Sequence, residues 1–212
     1  MNKTAKRCFD VFSASFLFVA LIWVFPIIWV SIRLNSKGEA LYAQKRVGQN
    51  QKYFRCYKFR TMRLGTPEVG THEASRDSIT GVGNILRKTK LDELPQLINV
   101  IVGDMSLVGP RPCLPSQSMV IEARIRKNVF SAKPGITGLA QIRGVDMSVP
   151  EKLASVDLEY LQTQTLLGDV KILLATALGK GAGDRTSPIV QNGIASSIVA
   201  KNIENKSCQK NE

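Results

Sequence analysis

Two adjacent carboxylates, Asp92 and Glu93, lie within the basic and proline-containing stretch 87–112. Such a pair can hold a hard dication, which usually takes one or two protein carboxylates together with substrate phosphates. A carboxylate can also attack phosphorus itself and form an acyl phosphate. The alternative is a solvated acidic pair near a helix N-terminus, where the helix dipole favours negative charge. For an isolated pair this alternative is favoured, so the surrounding residues matter.

Cationic side chains that could bind phosphate surround the pair in sequence. Arg87 precedes it, and Arg111 lies in the turn 109–112, whose two prolines fix the direction of the arginine. Lys58 and Arg60 add two cations in an aromatic segment. Because arginine binds phosphate oxygens in forked pairs, this combination predicts a site for a diphosphate.

Short elements must position these residues. Apolar and aromatic runs predict strands at 41–44 and 53–59, and the polar residues 64–80 are typical of a mobile loop or lid. Apolar residues three and four apart predict an amphipathic helix between Ile85 and Val102, with Thr89 as its cap. Two further helices are predicted at 151–160 and 162–178. The apolar face of the second could pack in the core or lie in the bilayer interface.

An uncharged apolar segment, residues 11–32, is long enough as a straight helix to cross the hydrocarbon of a membrane. Pro26 predicts a kink or break there. Basic residues precede the segment and follow it, so the positive-inside tendency places both ends in the cytoplasm. A re-entrant hairpin satisfies both flanks, whereas an ordinary single span is the simpler alternative.

Charge and composition limit the other functions. Residues 1–63 hold 12 Lys and Arg against Asp10 and Glu39, so most of the net charge of +12 lies beside the apolar segment. Anionic lipid headgroups attract such residues. Nucleic acid is a rival partner, but no zinc-finger or RNA-binding motif accompanies the charge, and we expect none to bind. Four scattered cysteines and one histidine, His72, indicate neither a disulfide framework nor a multi-histidine metal site.

Six motifs occur in order over about residues 3–178. They are Lys6-Arg7 with Phe9-Asp10, Gln44 with Arg46-Val47-Gly48, Lys58 to Met62, Leu91 to Leu97, Gly103 to Pro112, and Pro134 to Gly138 with Ala140-Gln141. Their order resembles that of the bacterial sugar transferase family, the monotopic phosphoglycosyl transferases that start glycan assembly on undecaprenyl phosphate. The chain resembles the short form, which is the catalytic part alone.

The resemblance implies roles for individual residues. Asp92 would be the nucleophile that forms a phosphosugar-aspartyl enzyme, and Asp92 and Glu93 would bind Mg²⁺. Arg87, Arg111 and Lys58 would hold phosphates. Arg60, from the charge argument, and Arg143, close to a usual arginine position, are further candidate phosphate-binding residues. The partners would be a UDP-sugar donor, the acceptor undecaprenyl phosphate and membrane lipids, with a homo-oligomer left open.

Three departures from the family pattern stand out. Phe25 precedes Pro26 where relatives have Ser, so a hydroxyl that could bond freed backbone carbonyls is missing. Lys90 replaces a usual Ser. Val145 occupies a usual arginine position, with Arg143 two residues earlier, which puts the choice of substrate in doubt.

The resulting expectation is a mainly helical α+β chain in three parts. Residues 1–36 form a re-entrant membrane helix hairpin, 37–180 a small cytoplasmic catalytic domain with amphipathic interfacial helices, and 181–212 a polar tail. The chain would lie in the bacterial inner membrane with its catalytic domain on the cytoplasmic face. An N-acetylated UDP-hexosamine is the expected donor, because the short form resembles such enzymes. The alternatives are a hexose-1-phosphate donor and a non-catalytic membrane-anchored assembly protein.

Overall fold

The computed structural model describes residues 2–66 and 76–181. Most of the predicted loop 64–80, and the predicted tail apart from its first residue, lie outside this part of the chain. The described residues form a mixed, mainly helical α+β structure, as predicted. The helices are α1 (Lys3–Leu21), α2 (Val24–Asn35), α3 (Gly81–Thr89), α4 (Gln96–Val102), α5 (Ser118–Arg126), α6 (Leu139–Ile142), α7 (Pro150–Thr163) and α8 (Leu166–Ala177).

Helices α1 and α2 meet at a bend of 63°. The predicted kink or break is confirmed, but it lies before Pro26, since the helices are interrupted at Ile22 and Trp23 and Pro26 is in the first turn of α2. Proline clashes with the carbonyl four residues earlier, which here belongs to Ile22. The effect of Pro26 therefore falls one turn upstream of the proline.

Aromatic side chains hold this bend. Phe25 packs edge-to-face on Phe18 and on Phe59, with ring centroids 5.4 Å apart in both pairs. The indole of Trp23 donates a hydrogen bond to the carbonyl of Ala20 at 2.9 Å. Aromatic packing and the indole N–H of Trp23 thus stabilise the bend, at a place where relatives are expected to have a serine hydroxyl.

Large apolar side chains remain exposed along both helices. Phe12 is 76% exposed, Phe16 66%, Trp23 63% and Leu34 85%. In the described residues no single helix combines the length and apolar character needed to cross a membrane, and α1 and α2 meet that criterion only as a bent pair.

A buried polar network fixes α1 to the rest of the molecule. The Lys6 ammonium lies 2.9 Å from both the Asp10 and the Asp169 carboxylates. Ser106 donates to Asp10 at 2.8 Å, and Tyr160 donates to Asp169 at 2.8 Å. Burial, and then the charge of Asp169, raise the pKa of Tyr160, so its hydroxyl stays a donor.

The predicted helix 85–102 is two helices. Lys90 adopts a left-handed conformation with φ 59°, which ends α3, and a 3₁₀ helix at Leu91–Glu93 leads into α4. Thr89 is not a cap, because its hydroxyl donates back to the carbonyls of Ile85 and Leu86.

Two small sheets support the helices. Strand β1 (Leu41–Val47) pairs antiparallel with β2 (Tyr53–Phe59), which confirms both predicted strands and extends the first. Strand β3 (Ser106–Val108) pairs in parallel with β4 (Gly135–Thr137). The largest core cluster packs α1 and α4 against β3, α7 and α8, and includes Val100, Met105, Leu107, Tyr160 and Ile172.

Helices α7 and α8 confirm the last two predicted helices. Part of the predicted apolar face of α8 stays exposed, with Leu167 at 76%, Leu174 at 59% and the following Leu178 at 83%. The opposite side of α8 buries Asp169 and Ile172. The helix therefore joins the core through one face and leaves an apolar stripe uncovered.

Candidate active site

The two adjacent carboxylates border different cavities. Both lie in the 3₁₀ helix after the left-handed Lys90, where the tight turn separates neighbouring side chains. Asp92 is only 7% exposed and borders a cavity of about 400 Å³, whereas Glu93 borders a cavity of about 130 Å³. We call these the larger and the smaller cavity.

Cations predicted from the sequence line the larger cavity. The structure brings Lys58, Arg60 and Arg87 to it, together with Asp92. Lys58 lies at the end of β2, Arg60 directly follows that strand, and Arg87 comes from the last turn of α3. Four of the seven predicted site residues therefore meet around one space.

Arg60 and Arg87 both carry buried N–H groups that have no hydrogen-bond acceptor among the described residues. They are Nε and Nη2 of Arg60 and Nη1 of Arg87. Nε of Arg87 is held by the hydroxyl of Thr61 at 2.8 Å, which fixes the guanidinium. A buried donor without an acceptor costs about 1–3 kcal/mol. Phosphate oxygens in the larger cavity would supply the missing acceptors.

Docking of α3 positions Arg87. Thr80 caps this helix by accepting from the backbone N–H of Gly83 at 2.9 Å. Gly83 lies against the backbone of Thr61 so closely that a Cβ would overlap with it. Glycine is therefore required for the contact that sets Thr61 beside Arg87.

Glu93 is held by two cations. Arg111 donates to its carboxylate at 2.7 Å, and the Lys58 ammonium lies 3.4 Å from the same oxygen. Lys90 borders the same cavity, and burial lowers its pKa, with Glu93 opposing that shift. The carboxylate thus links the two cavities, since Lys58 borders the larger one and Arg111 the smaller one.

The turn that carries Arg111 is pinned from three other elements. The Arg111 carbonyl accepts from Arg124 at 2.7 Å, and the Pro112 carbonyl accepts from Arg46 at 3.0 Å. The Pro110 carbonyl accepts from the N–H of Gly135 at 2.9 Å. The prolines give the turn its shape, and these bonds fix its position.

Sequence reasoning missed Arg124 and its partner Asp157. The pair is almost fully buried, with Nη2 of Arg124 2.7 Å from the Asp157 carboxylate. Burial raises the pKa of Asp157, and the arginine opposes this shift. The available signal was a carboxylate on the otherwise apolar face of α7, beside Leu153, Ala154 and Val156.

Arg143 is not brought to either cavity. It follows α6, is exposed, and pairs with Glu159 on α7, with Nη2 at 2.7 Å from the carboxylate. Its neighbour Gln141, quoted above only as part of a motif, does line the smaller cavity. The proposed phosphate contact of Arg143 remains a prediction.

Asp92 and Glu93 provide two carboxylates near each other in the chain, and these border different cavities. Among the described residues, no group of three or more His, Cys, Asp or Glu side chains could hold a metal. Asp92 and Glu93 alone match the one or two carboxylates that Mg²⁺ usually takes, and substrate phosphates and water supply its other oxygens. Binding of Mg²⁺ by Asp92 and Glu93, together with the phosphates of a diphosphate, stays a prediction.

Comparison with known proteins identifies the family. The profile described as "Bacterial sugar transferase" matches residues 1–180. The chain belongs to this family. The predicted resemblance and the expectation of a transferase enzyme are thereby confirmed.

Curated relatives are 35–39% identical in sequence to this chain. A UDP-glucose:undecaprenyl-phosphate glucose-1-phosphate transferase of Caulobacter vibrioides is 39% identical over 81% of this chain and 67% of its own length. An exopolysaccharide production protein of Rhizobium meliloti is 36% identical over 81% and 83%, respectively. An undecaprenyl-phosphate galactose phosphotransferase of Salmonella typhimurium is 35% identical over 83% of this chain, which spans only 40% of that protein.

Proposed function

We propose that this sugar transferase moves a hexose-1-phosphate from a UDP-hexose to undecaprenyl phosphate, releases UMP and thereby starts the assembly of a polysaccharide. The observation that carries the proposal is the larger cavity. It places the Asp92 carboxylate beside two guanidinium groups that have unused buried donors. A nucleophile for phosphorus and ligands for phosphate oxygens therefore share one space.

The donor is proposed to be a simple hexose. The sequence favoured an N-acetylated hexosamine, but the relatives at 35–39% identity carry glucose and galactose in their names. The hexose-1-phosphate alternative fits these names better. We therefore replace the N-acetylated donor with UDP-glucose or UDP-galactose.

In the proposed mechanism an Asp92 oxygen attacks the phosphorus that carries the sugar. The bond from this phosphorus to the bridging oxygen breaks, and UMP leaves with the electron pair. A phosphate oxygen of the lipid then attacks the same phosphorus, the bond to Asp92 breaks, and the carboxylate is regenerated. The product is a polyprenyl diphosphate sugar. Arg60 and Arg87 hold phosphate oxygens through both steps, and the Lys58 and Arg111 contacts keep Glu93 fixed.

Asp92 and Glu93 are the residues that would hold Mg²⁺. When bound, the ion would neutralise charge on the diphosphate and on the leaving phosphate. Arg60 and Arg87 would also neutralise charge on these phosphates, because they border the same cavity as Asp92.

The bent pair α1–α2 is proposed to enter the cytoplasmic leaflet of the bacterial inner membrane and to return to the same face. Its exposed apolar side chains need a lipid environment, and basic residues flank it on both sides. The exposed stripe of α8 would lie in the interface. This arrangement places the cavities where a lipid phosphate can reach them.

Release of UMP tests the function directly. Purified protein in undecaprenyl phosphate-containing vesicles should release UMP from UDP-glucose or UDP-galactose and more slowly from UDP-N-acetylglucosamine. Asp92→Asn should lower this release by on the order of a thousandfold or more. A non-catalytic assembly protein would release none from any of these donors. Preference for the N-acetylated donor would restore the expectation from the sequence.

A further inference from the structure

The smaller cavity contains an acceptor that the proposed mechanism leaves unused. Oε1 of Gln141 is buried and has no hydrogen-bond donor among the described residues. Nε2 of the same side chain donates to the Ile136 carbonyl at 3.1 Å, which fixes the amide so that its oxygen is the free atom. Such an oxygen needs an O–H or N–H group to offset its burial.

The other groups around Gln141 also suit a polyhydroxylated ligand. The Thr176 hydroxyl donates to the Ile172 carbonyl at 2.9 Å, so the Thr137 hydroxyl, 2.7 Å away, donates to Thr176. The oxygen of Thr137 therefore keeps a lone pair for a further donor. Leu94, Leu97 and Ile136 supply an apolar wall. This mixture of acceptors and apolar carbon matches a sugar, which has hydroxyl groups and C–H faces.

We infer that the smaller cavity binds the sugar of the nucleotide-sugar donor and that Gln141 accepts a hydrogen bond from one of its hydroxyl groups. The inference rests on the proposed function and deepens it. It makes Gln141 a determinant of which sugar is transferred, whereas the sequence left the choice of substrate in doubt because Val145 occupies a usual arginine position.

The geometry of displacement at phosphorus supports this division of the two cavities. Attacking and leaving oxygens lie roughly in line. In the first displacement Asp92 attacks the phosphorus opposite UMP, and in the second the lipid phosphate attacks the same phosphorus opposite Asp92. The lipid phosphate therefore arrives from the side that UMP has left. We place both UMP and the lipid phosphate in the larger cavity. It has about three times the volume of the smaller cavity, and it carries the free arginine donors. The sugar needs a separate place, and Glu93 connects the two cavities.

Deoxygenated donors test the inference through a coupling measurement. Wild-type protein and Gln141→Met are assayed for kcat/KM with UDP-glucose and its 2-, 3-, 4- and 6-deoxy analogues, with undecaprenyl phosphate as acceptor. Wild type should lose about tenfold with one analogue, equivalent to one buried hydrogen bond. Gln141→Met should lose less than about twofold with that same analogue, since methionine has no strong acceptor.

The matched control is Gln49→Ala. Gln49 also donates its Nε2 to a backbone carbonyl, that of Ser131, but lies outside both cavities. It should keep the wild-type pattern across the analogues. Because the readout is a pattern across analogues, a general loss of activity or stability in Gln141→Met does not imitate it.

Two other outcomes overturn the inference in different ways. If Gln141→Met retains the wild-type sensitivity to all four analogues, the smaller cavity does not bind the sugar through Gln141, although the proposed function stands. If wild-type protein releases no UMP from any hexose or N-acetylhexosamine donor, the proposed function fails and the inference fails with it.

Discussion

At the scale of single residues, the surroundings of two adjacent carboxylates give them different roles. Glu93 is held by Arg111 and lies near Lys58, so it is a fixed anchor between the two cavities. Asp92 borders the larger cavity beside Arg60 and Arg87, where phosphorus is proposed to lie. Asp92 is therefore the better candidate for the nucleophile, and Glu93 for a metal and charge partner.

Substitution of each carboxylate by its amide should separate these roles. Asp92→Asn should lower turnover by on the order of a thousandfold or more, as loss of a covalent nucleophile does elsewhere. Glu93→Gln should mainly reduce the rate and shift the dependence on Mg²⁺. Both are measured as UMP release against Mg²⁺ concentration. Near-normal turnover by Asp92→Asn would assign the nucleophile to another residue.

Arg87 and Lys88 offer a matched pair of cations on one helix. Arg87→Lys keeps the charge but loses the bond from Nε to Thr61 and the forked geometry for phosphate. It should lower kcat/KM for the donor by roughly tenfold or more, the equivalent of one charge-assisted hydrogen bond. Lys88→Ala removes an exposed cation and should have little effect. A loss in Lys88→Ala without a loss in Arg87→Lys would mean that general basic charge, and not the geometry of Arg87, attracts the donor.

The sequence was sufficient to predict that Asp92, Arg60 and Arg87 belong to one site, because residue chemistry and the family motifs pointed the same way. It could not predict that Gln141 borders the smaller cavity or that Arg124 holds the Arg111 carbonyl. Both contacts connect residues that are far apart in sequence. Gln141 belongs to a family motif, but the motif does not show which cavity its side chain borders, and no motif marks Arg124. Arg143 is a different case. The sequence predicts that it binds phosphate, and in the structure it pairs with Glu159.

At the scale of elements, α3 packs against the segment that follows β2, and this contact places Arg87 at the larger cavity. Gly83 allows the first turn of α3 to lie directly against Thr61, and Arg87 one turn later bonds the Thr61 side chain. One close backbone contact thus places an arginine of a helix beside the cations of a strand.

Two glycines in the first turn of α3 test this contact. In Gly83→Ala the new methyl group would overlap with the Thr61 backbone, which should destabilise the fold by roughly 1–3 kcal/mol. The unfolding temperature should fall and the KM for the donor should rise as Arg87 moves. Gly81→Ala is the control, because nothing lies within 4 Å of its Cβ position. Similar unfolding temperatures for the two variants would show that the contact is not tight.

Element types were easier to predict than element boundaries. Apolar and aromatic runs indicated β1 and β2, and helical stretches with an apolar face indicated α7 and α8. The division between α3 and α4 was missed because its cause is a left-handed Lys90, a conformation that sequence usually signals with Gly or Asn. Strands β3 and β4 were missed because three-residue strands carry too little periodicity.

At the scale of the whole molecule, the bent helix pair and the catalytic part form one connected structure. The buried contacts of Lys6 with Asp10 and Asp169 join α1 to α8, so the proposed membrane segment and the interfacial helix have fixed relative positions. Exposed apolar residues lie on both elements, including Phe16 on α1 and Leu174 on α8. A single membrane surface could therefore cover both.

Cysteine labelling tests the re-entrant topology. Lys3→Cys and Lys37→Cys are made separately in a Cys8→Ser, Cys208→Ser background that keeps the buried Cys56 and Cys113. Both new cysteines should resist a membrane-impermeant maleimide in intact cells and react after permeabilisation, and the background protein without them is the control. The basic flanks and the 63° bend both predict this result. Labelling of either position in intact cells would instead place that end in the periplasm and indicate a spanning helix.

The covalent intermediate is the central claim, and mass spectrometry of the Asp92 peptide tests it most directly. Wild-type protein is incubated with UDP-glucose, or with UDP-galactose, and Mg²⁺ in the absence of lipid acceptor. Because a carboxylate nucleophile divides the transfer into two half-reactions, the first should proceed alone. The predicted result is release of up to one UMP per site and a hydroxylamine-labile hexose phosphate on Asp92. An unmodified peptide, with UMP appearing only after undecaprenyl phosphate is added, would contradict the mechanism and leave Asp92 as a metal ligand.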